Sequence, residues 1–136
     1  MNDRNQILKI LNLKTIAVVG MSNKKNRPSY YVSWYMHQNG YKIIPVNPFQ
    51  SYIKGKKCYP ELESIKVPID IVNIFRKSEY AISIVAAAIK KKAKAIWMQD
   101  GVINKEAGEL AKKEGLLLVM NDCILRQHRH HKAKLN

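Results

Sequence analysis

Apolar and polar positions alternate along this chain in blocks of two kinds. One kind is a short run of β-branched and aliphatic residues: Thr15 to Gly20, Tyr41 to Val46, Ile69 to Phe75, Ala95 to Met98 and Leu116 to Met120. Runs of that length and composition read as strands covered on both faces. The other kind is apolar at helical spacing. Val32, Tyr35 and Met36 share one helix face, and Ile82, Val85, Ala86 and Ile89 share another. Ala107, Leu110 and Ala111 mark a third helix, and Ile7, Leu8 and Leu11 mark a short one at the start. The punctuation agrees. Asp3, Ser78 and Asn104 stand at helix-capping positions, Pro28-Ser29 opens a helix, and Gly40 and Gly115 close two. Lys54 to Tyr59 reads as a further short strand at an edge.

Strands therefore alternate with helices, which predicts an α/β domain with a mostly parallel sheet and helices on both faces, in three layers. The expected strand order is 3-2-1-4-5-6, with a crevice between strands one and four where the chain reverses direction. Ligands of such sheets bind outside the carboxyl ends of the strands. The ends facing that crevice are Gly20-Met21-Ser22, Asn47-Pro48, Phe75-Arg76-Lys77 and Gln99-Asp100-Gly101. After Gly20 comes a short polar loop closed by Arg27-Pro28-Ser29. Unpaired N–H groups there and the dipole of the following helix favour an anion. A plain strand–loop–helix connection has the same pattern.

Length and charge narrow the reading. The 136 residues suit one domain, and 46% apolar content suits a packed core. The pattern divides the chain into a domain over residues 1–125 and a basic tail over 126–136, which lacks an apolar period. No apolar run approaches a membrane span, and the N-terminus lacks a signal-peptide core. Cys58 and Cys123 form no metal or redox pair and suit a reducing compartment, so a cytoplasmic location is expected. The 24 basic residues outnumber the 10 acidic ones, for a net charge of +14. A dispersed lysine surface of this kind favours anions generally. It carries no nucleic-acid recognition motif, so only nonspecific nucleic-acid binding is expected, and no membrane binding.

The strand ends say more about the ligand. A nicotinamide-binding fold carries three spaced glycines after its first strand and an acidic residue after its second. Here Gly20 stands alone, and Asn47-Pro48 replaces the acid, with Lys54, Lys56 and Lys57 beyond. That arrangement suits a phosphorylated ribose, and Arg76 adds a bidentate phosphate donor.

These residues resemble a family. Ile16-Ala17-Val18-Val19-Gly20-Met21-Ser22, Arg27-Pro28-Ser29-Tyr30, Gly40 to Pro48, Gly55 to Pro60, Asp70 to Arg76, Ala95 to Val102 and Val119 to Cys123 are similar, in order, to single-domain CoA-binding proteins. Those are related to the CoA-binding domains of succinyl-CoA synthetase α subunits and NDP-forming acyl-CoA synthetases. The resemblance spans about Thr15 to Cys123. Asp100 and the basic tail depart from the usual pattern. The resemblance implies a Rossmann-like fold binding coenzyme A or an acyl-CoA. Gly20, Met21 and Ser22 would border the diphosphate, and Arg27, Pro28 and Ser29 would present the helix start. Asn47 and Pro48 would pack near the adenosine, Phe75 and Arg76 would flank the pantetheine arm, and Gln99 and Gly101 would line its far end.

No catalytic or metal set emerges. Ser22 and Ser29 lack an adjacent histidine base. His37 reads as a helix-surface residue, and His128, His130 and His131 fall in the tail. Asp100 near a thioester has the chemistry of a base, and Cys123 that of a partner for the CoA thiol; both also fit plain structural roles. A CoA-binding module without turnover is the leading expectation. An enzyme acting on an acyl-CoA or nicotinamide cofactor, and a nonspecific nucleic-acid binder, are the alternatives. A protein partner is compatible with such a module, and a monomer or a homodimer is expected.

Overall fold

A computed structural model describes residues 2–136. Helix α1 (Arg4–Leu11) is capped by Asp3, whose side chain accepts from the Asn5 N–H. It buries Ile7, Ile10 and Leu11, so Ile10 takes the inward place expected of Leu8. Strand β1 (Thr15–Val19) leads through Gly20 to α2 (Pro28–Gln38), and β2 (Lys42–Val46) follows. Further on come β5 (Ile71–Ile74), α3 (Ala81–Lys90), β6 (Ala95–Met98), α4 (Lys105–Lys113) and β7 (Leu117–Val119). These five strands form one parallel sheet in the order β2-β1-β5-β6-β7.

The expected order 3-2-1-4-5-6 is thus corrected at its first member. Residues 54–59 do not join the sheet as a strand. Lys54 (φ 50°) and Gly55 (φ 77°) both lie in the left-handed region and turn the chain back. They close a small antiparallel hairpin, β3 (Tyr52–Ile53) with β4 (Lys56–Lys57), and two-residue turns of this hand favour such hairpins. Only Tyr59 reaches the sheet edge, where its N–H donates to Pro45 O (3.0 Å) and its carbonyl accepts from the Asn47 N–H (2.8 Å). Pro45 faces that edge without an N–H to offer, so a longer ladder is blocked there.

Helices cover both faces. On one, Ile7, Met36, Tyr41 and Ile124 pack against Ile16, Val18 and Trp97. On the other, Leu62, Val85, Ala88, Ala107 and Ala111 pack against Ala17, Val72, Ile96 and Met98. Asp70 pins the start of the central pair: its Oδ2 accepts from the N–H groups of Lys14 and Thr15, both at 3.1 Å. Burial opposes ionisation of this carboxyl, but those two N–H groups and the Lys94 ammonium outweigh it and hold it below its usual range.

Two local readings change. Ser78 does not cap α3; it lies in a 3-10 turn, Ser78–Tyr80, and its hydroxyl joins loops, accepting from the Ile103 N–H at 2.9 Å. The segment expected as a basic tail is basic, yet it forms α5 (Ile124–His131) and a 3-10 turn, Lys132–Lys134. Ile124, His128 and His131 are its buried residues. Their spacing is helical, but two of the three inward positions are histidines, so an apolar scan passes over them. His128 Nδ1 pairs with the Tyr35 hydroxyl at 2.8 Å, and its ring meets those of Tyr35 and Tyr41 edge-on. Burial, then the nearby Lys132 charge, push its pKa down. No helix among the described residues is long and apolar enough to cross a membrane.

Candidate functional site

The reversal in sheet order lies between β1 and β5, and there a cleft of about 620 Å³ opens at the carboxyl ends of the strands. Gly20 forms its floor. The φ of Gly20 is +90°, and a Cβ built there would stand 2.8 Å from the Phe75 carbonyl oxygen and 2.9 Å from Arg76 Cδ. The chain leaving β5 therefore rests directly on the turn after β1, which only glycine permits.

The polar loop beyond Gly20 is held by its own side chains. The buried Ser29 hydroxyl accepts from the Ser22 N–H at 2.8 Å, and the Ser22 hydroxyl accepts from the Lys24 N–H at 3.0 Å. The Gly20 N–H donates to Val46 O at 2.9 Å. Three amides of this turn and loop, those of Gly20, Ser22 and Lys24, are therefore already used. What the loop offers a ligand is the start of α2, with Pro28 at its first turn, and the side chains of Lys24 and Arg27.

Nine of the twelve residues singled out in the sequence line this cleft: Gly20, Ser22, Arg27, Pro28, Ser29, Phe75, Arg76, Gln99 and Gly101. Three do not. Met21 is buried in the core, and its carbonyl accepts from Asn47 Nδ2 at 2.9 Å. Asn47 thus staples two loops together, its Oδ1 also accepting from the Phe49 N–H at 2.8 Å. Pro48 lines a second cavity of about 250 Å³ on the α3 side, with Val46, Leu62, Tyr80 and Ile84. Gly20 and Arg76 line both cavities and form the saddle between them. The Arg76 guanidinium lies 4.5 Å above the Tyr80 ring and makes no ion pair among the described residues.

Sequence reasoning missed the wall contributed by α5. Leu125 and Arg126 face the cleft beside Cys123, opposite Tyr31 and Val32 of α2. The helical spacing of Ile124, His128 and His131 was the available signal. Arg126 grips Asp100 with two hydrogen bonds (2.8 and 3.1 Å) and Asp122 with a third (2.8 Å). Those bonds hold the Asp100 carboxyl below its usual range, which weakens it as a base. The cleft is therefore uneven in charge: among the described residues Lys24, Arg27 and Arg76 make no ion pair at one end, while the arginine at the other is neutralised. His37 is half-buried with its ring stacked on Trp34. Among the described residues no three His, Cys, Asp or Glu side chains are grouped to hold a metal.

A cleft at the sheet reversal, with an anion-favouring start of α2 and a lone glycine beneath it, defines a nucleotide-type ligand domain. The chain belongs to the CoA binding domain family, whose model matches residues 14–129. It is 41% identical over 115 residues to the uncharacterized protein YneT of Bacillus subtilis, covering 85% of each chain. It is 31% identical to part of the ADP-forming acetate–CoA ligase II of Archaeoglobus fulgidus; the match covers 76% of this chain and 17% of the ligase. Among solved structures, a hypothetical protein from Pyrococcus horikoshii superposes with a TM-score of 0.89 at 38% identity, over 93% of this chain and 89% of that one.

Proposed function

We propose that this cleft holds coenzyme A or an acyl-CoA, and that the chain acts as a binding module whose ligand is used by a separate protein. The diphosphate lies over the Gly20–Ser22 turn and the start of α2, within reach of Arg76. The adenosine turns across the saddle toward Pro48 and the second cavity. The pantetheine arm passes Phe75 and runs toward Gln99 and Gly101. The supporting observation is the charge gradient. The unpaired Arg76 sits at the saddle, and no carboxylate pairs with it among the described residues. A phosphate-bearing head is favoured at that end and a neutral arm at the other. Nicotinamide dinucleotides fit less well, because Asn47-Pro48 stands directly after β2 where such folds carry the acid for a ribose diol; Glu61 and Glu63 line the second cavity from a later loop.

Isothermal calorimetry of CoA against the wild type and Arg76→Ala tests the reading. A charge-assisted arginine–phosphate contact contributes about 1.5–3 kcal/mol, so the variant should bind roughly tenfold or more weakly. Thermal unfolding should change little, since Arg76 is half-exposed at a strand end. Absence of CoA binding to the wild type, or equal binding by the variant, refutes the site.

A further inference from the structure

Cys123 lies four residues beyond the end of β7, at the N-cap of α5, and its half-buried side chain lines the cleft. The ligand of the preceding section carries a thiol at the end of its arm, and the sheet supplies a ruler for where that thiol arrives. From β1 to β7 there are three strand spacings, β1–β5, β5–β6 and β6–β7, or about 14 Å. The pantetheine arm has about twelve bonds from phosphate ester oxygen to sulfur. At roughly 1.2 Å of advance per bond in an extended chain, it spans about 14 Å. A diphosphate at the end of β1 therefore places the sulfur at the end of β7.

A second feature on that path points to the same arm. Gln99, at the end of β6, is 3% exposed and lines the cleft. Its Nε2 donates to Asn73 Oδ1 at 2.9 Å, while its Oε1 accepts no hydrogen bond among the described residues and keeps access to solvent at the cleft. An amide oxygen fixed there can accept from an N–H of a ligand, and the arm carries two amides. The other cysteine has no such setting. Cys58 is buried away from the cleft, and burial pushes its thiol pKa up.

We propose that Cys123 captures CoA covalently as a mixed disulfide, by exchange with a CoA disulfide; this rests on CoA occupying the cleft. The Cys123 thiol loses its proton, and the thiolate sulfur attacks one sulfur of the CoA disulfide. The Cys123–CoA bond forms as the original sulfur–sulfur bond breaks, and the second CoA leaves as a thiolate that takes up a proton. Cys123 and the retained CoA end as the disulfide, and the departing CoA carries the electron pair away as the reduced product. The leaving half is released to solvent.

The test incubates the reduced protein with CoA disulfide or, in parallel, glutathione disulfide, and reads intact mass and peptide maps over time. One CoA should be added per chain, on Cys123, reversed by dithiothreitol. Addition should be about tenfold faster or more than with glutathione disulfide, because binding positions the reacting sulfur. Excess acetyl-CoA, whose sulfur is capped, should slow it, and Cys123→Ser, checked for folding by circular dichroism, should take up none. An adduct on Cys58, equal rates with the two disulfides, or no adduct overturns the inference. Calorimetry of CoA under reducing conditions separates the two readings. CoA binding without capture removes this inference alone, and no CoA binding removes the reading beneath it.

Discussion

Replacing Gly20 with alanine tests how the two halves of the sheet meet at the cleft. The residue sits at φ +90°, where an L side chain costs about 1–2 kcal/mol. The new Cβ would also stand 2.8 Å from the Phe75 carbonyl oxygen, a backbone atom that cannot rotate away. Overpacking of that kind costs about 1–3 kcal/mol more. The sum is about 2–5 kcal/mol, a large fraction of the roughly 5–15 kcal/mol that holds a domain folded. Gly55→Ala is the matched control. Gly55 has a φ of +77°, but nothing lies within 4 Å of its Cβ position. It should pay the backbone cost alone, about 1–2 kcal/mol. Urea unfolding followed by circular dichroism measures both variants, and the clash is the difference between them. Gly20→Ala should also bind CoA more weakly, because relieving the contact moves the Phe75–Arg76 segment off the turn. If the two variants lose stability equally, to within about 0.5 kcal/mol, the close approach of the β1 and β5 ends is not as described.

Asp70→Ala should destabilise the fold by about 1–3 kcal/mol, because it strips a charged acceptor from the N–H groups of Lys14 and Thr15. The carboxyl titrates below its ordinary 3.8, so its contribution is present above that pH and lost as pH falls further. Urea midpoints at pH 7 and below pH 3.8, wild type against variant, check both statements. His128 and His131 are each held below the ordinary 6.5 by burial first, then by neighbouring cations. The unfolded chain therefore takes up protons before the folded one does, and stability should fall as pH drops below about 6.5. The double variant His128→Gln, His131→Gln should flatten that slope; an unchanged slope between pH 7.5 and 5.5 refutes the assignment.

The strands of the main sheet were legible because each is a short, almost wholly apolar run that is buried along most of its length. The reversal between β1 and β5 followed from the alternation of strands and helices, and so did nine cleft residues, which sit at strand ends or at the start of α2. The failures have local physical causes. Residues 54–59 look like a strand, but two adjacent left-handed residues fold them into a hairpin, and Lys54 carries no sequence mark of its left-handed φ. Met21 lies beside Gly20 and Ser22 in sequence, yet the turn sends its side chain into the core. Helix α5 escaped notice because its inward face is built from histidines that hydrogen-bond and stack in place of aliphatic side chains.

That missed helix changes the meaning of the charge. A chain with a net charge of +14 attracts anions everywhere, and uniform attraction gives a ligand no orientation. Orientation needs a contrast, and α5 creates it by carrying Arg126 to Asp100 and Asp122. Both Arg126 and Asp100 are more than half exposed, so the pair adds little stability. Its effect is to cancel a cation at the far end of the cleft, which under the proposed CoA site would otherwise compete with Arg76 for phosphate. Asp100 is thereby intelligible as the partner of an arginine on a helix that the sequence pattern presents as a tail. On the proposed reading, that contrast favours the phosphates near Arg76 and the neutral arm on the path toward Gln99 and Cys123.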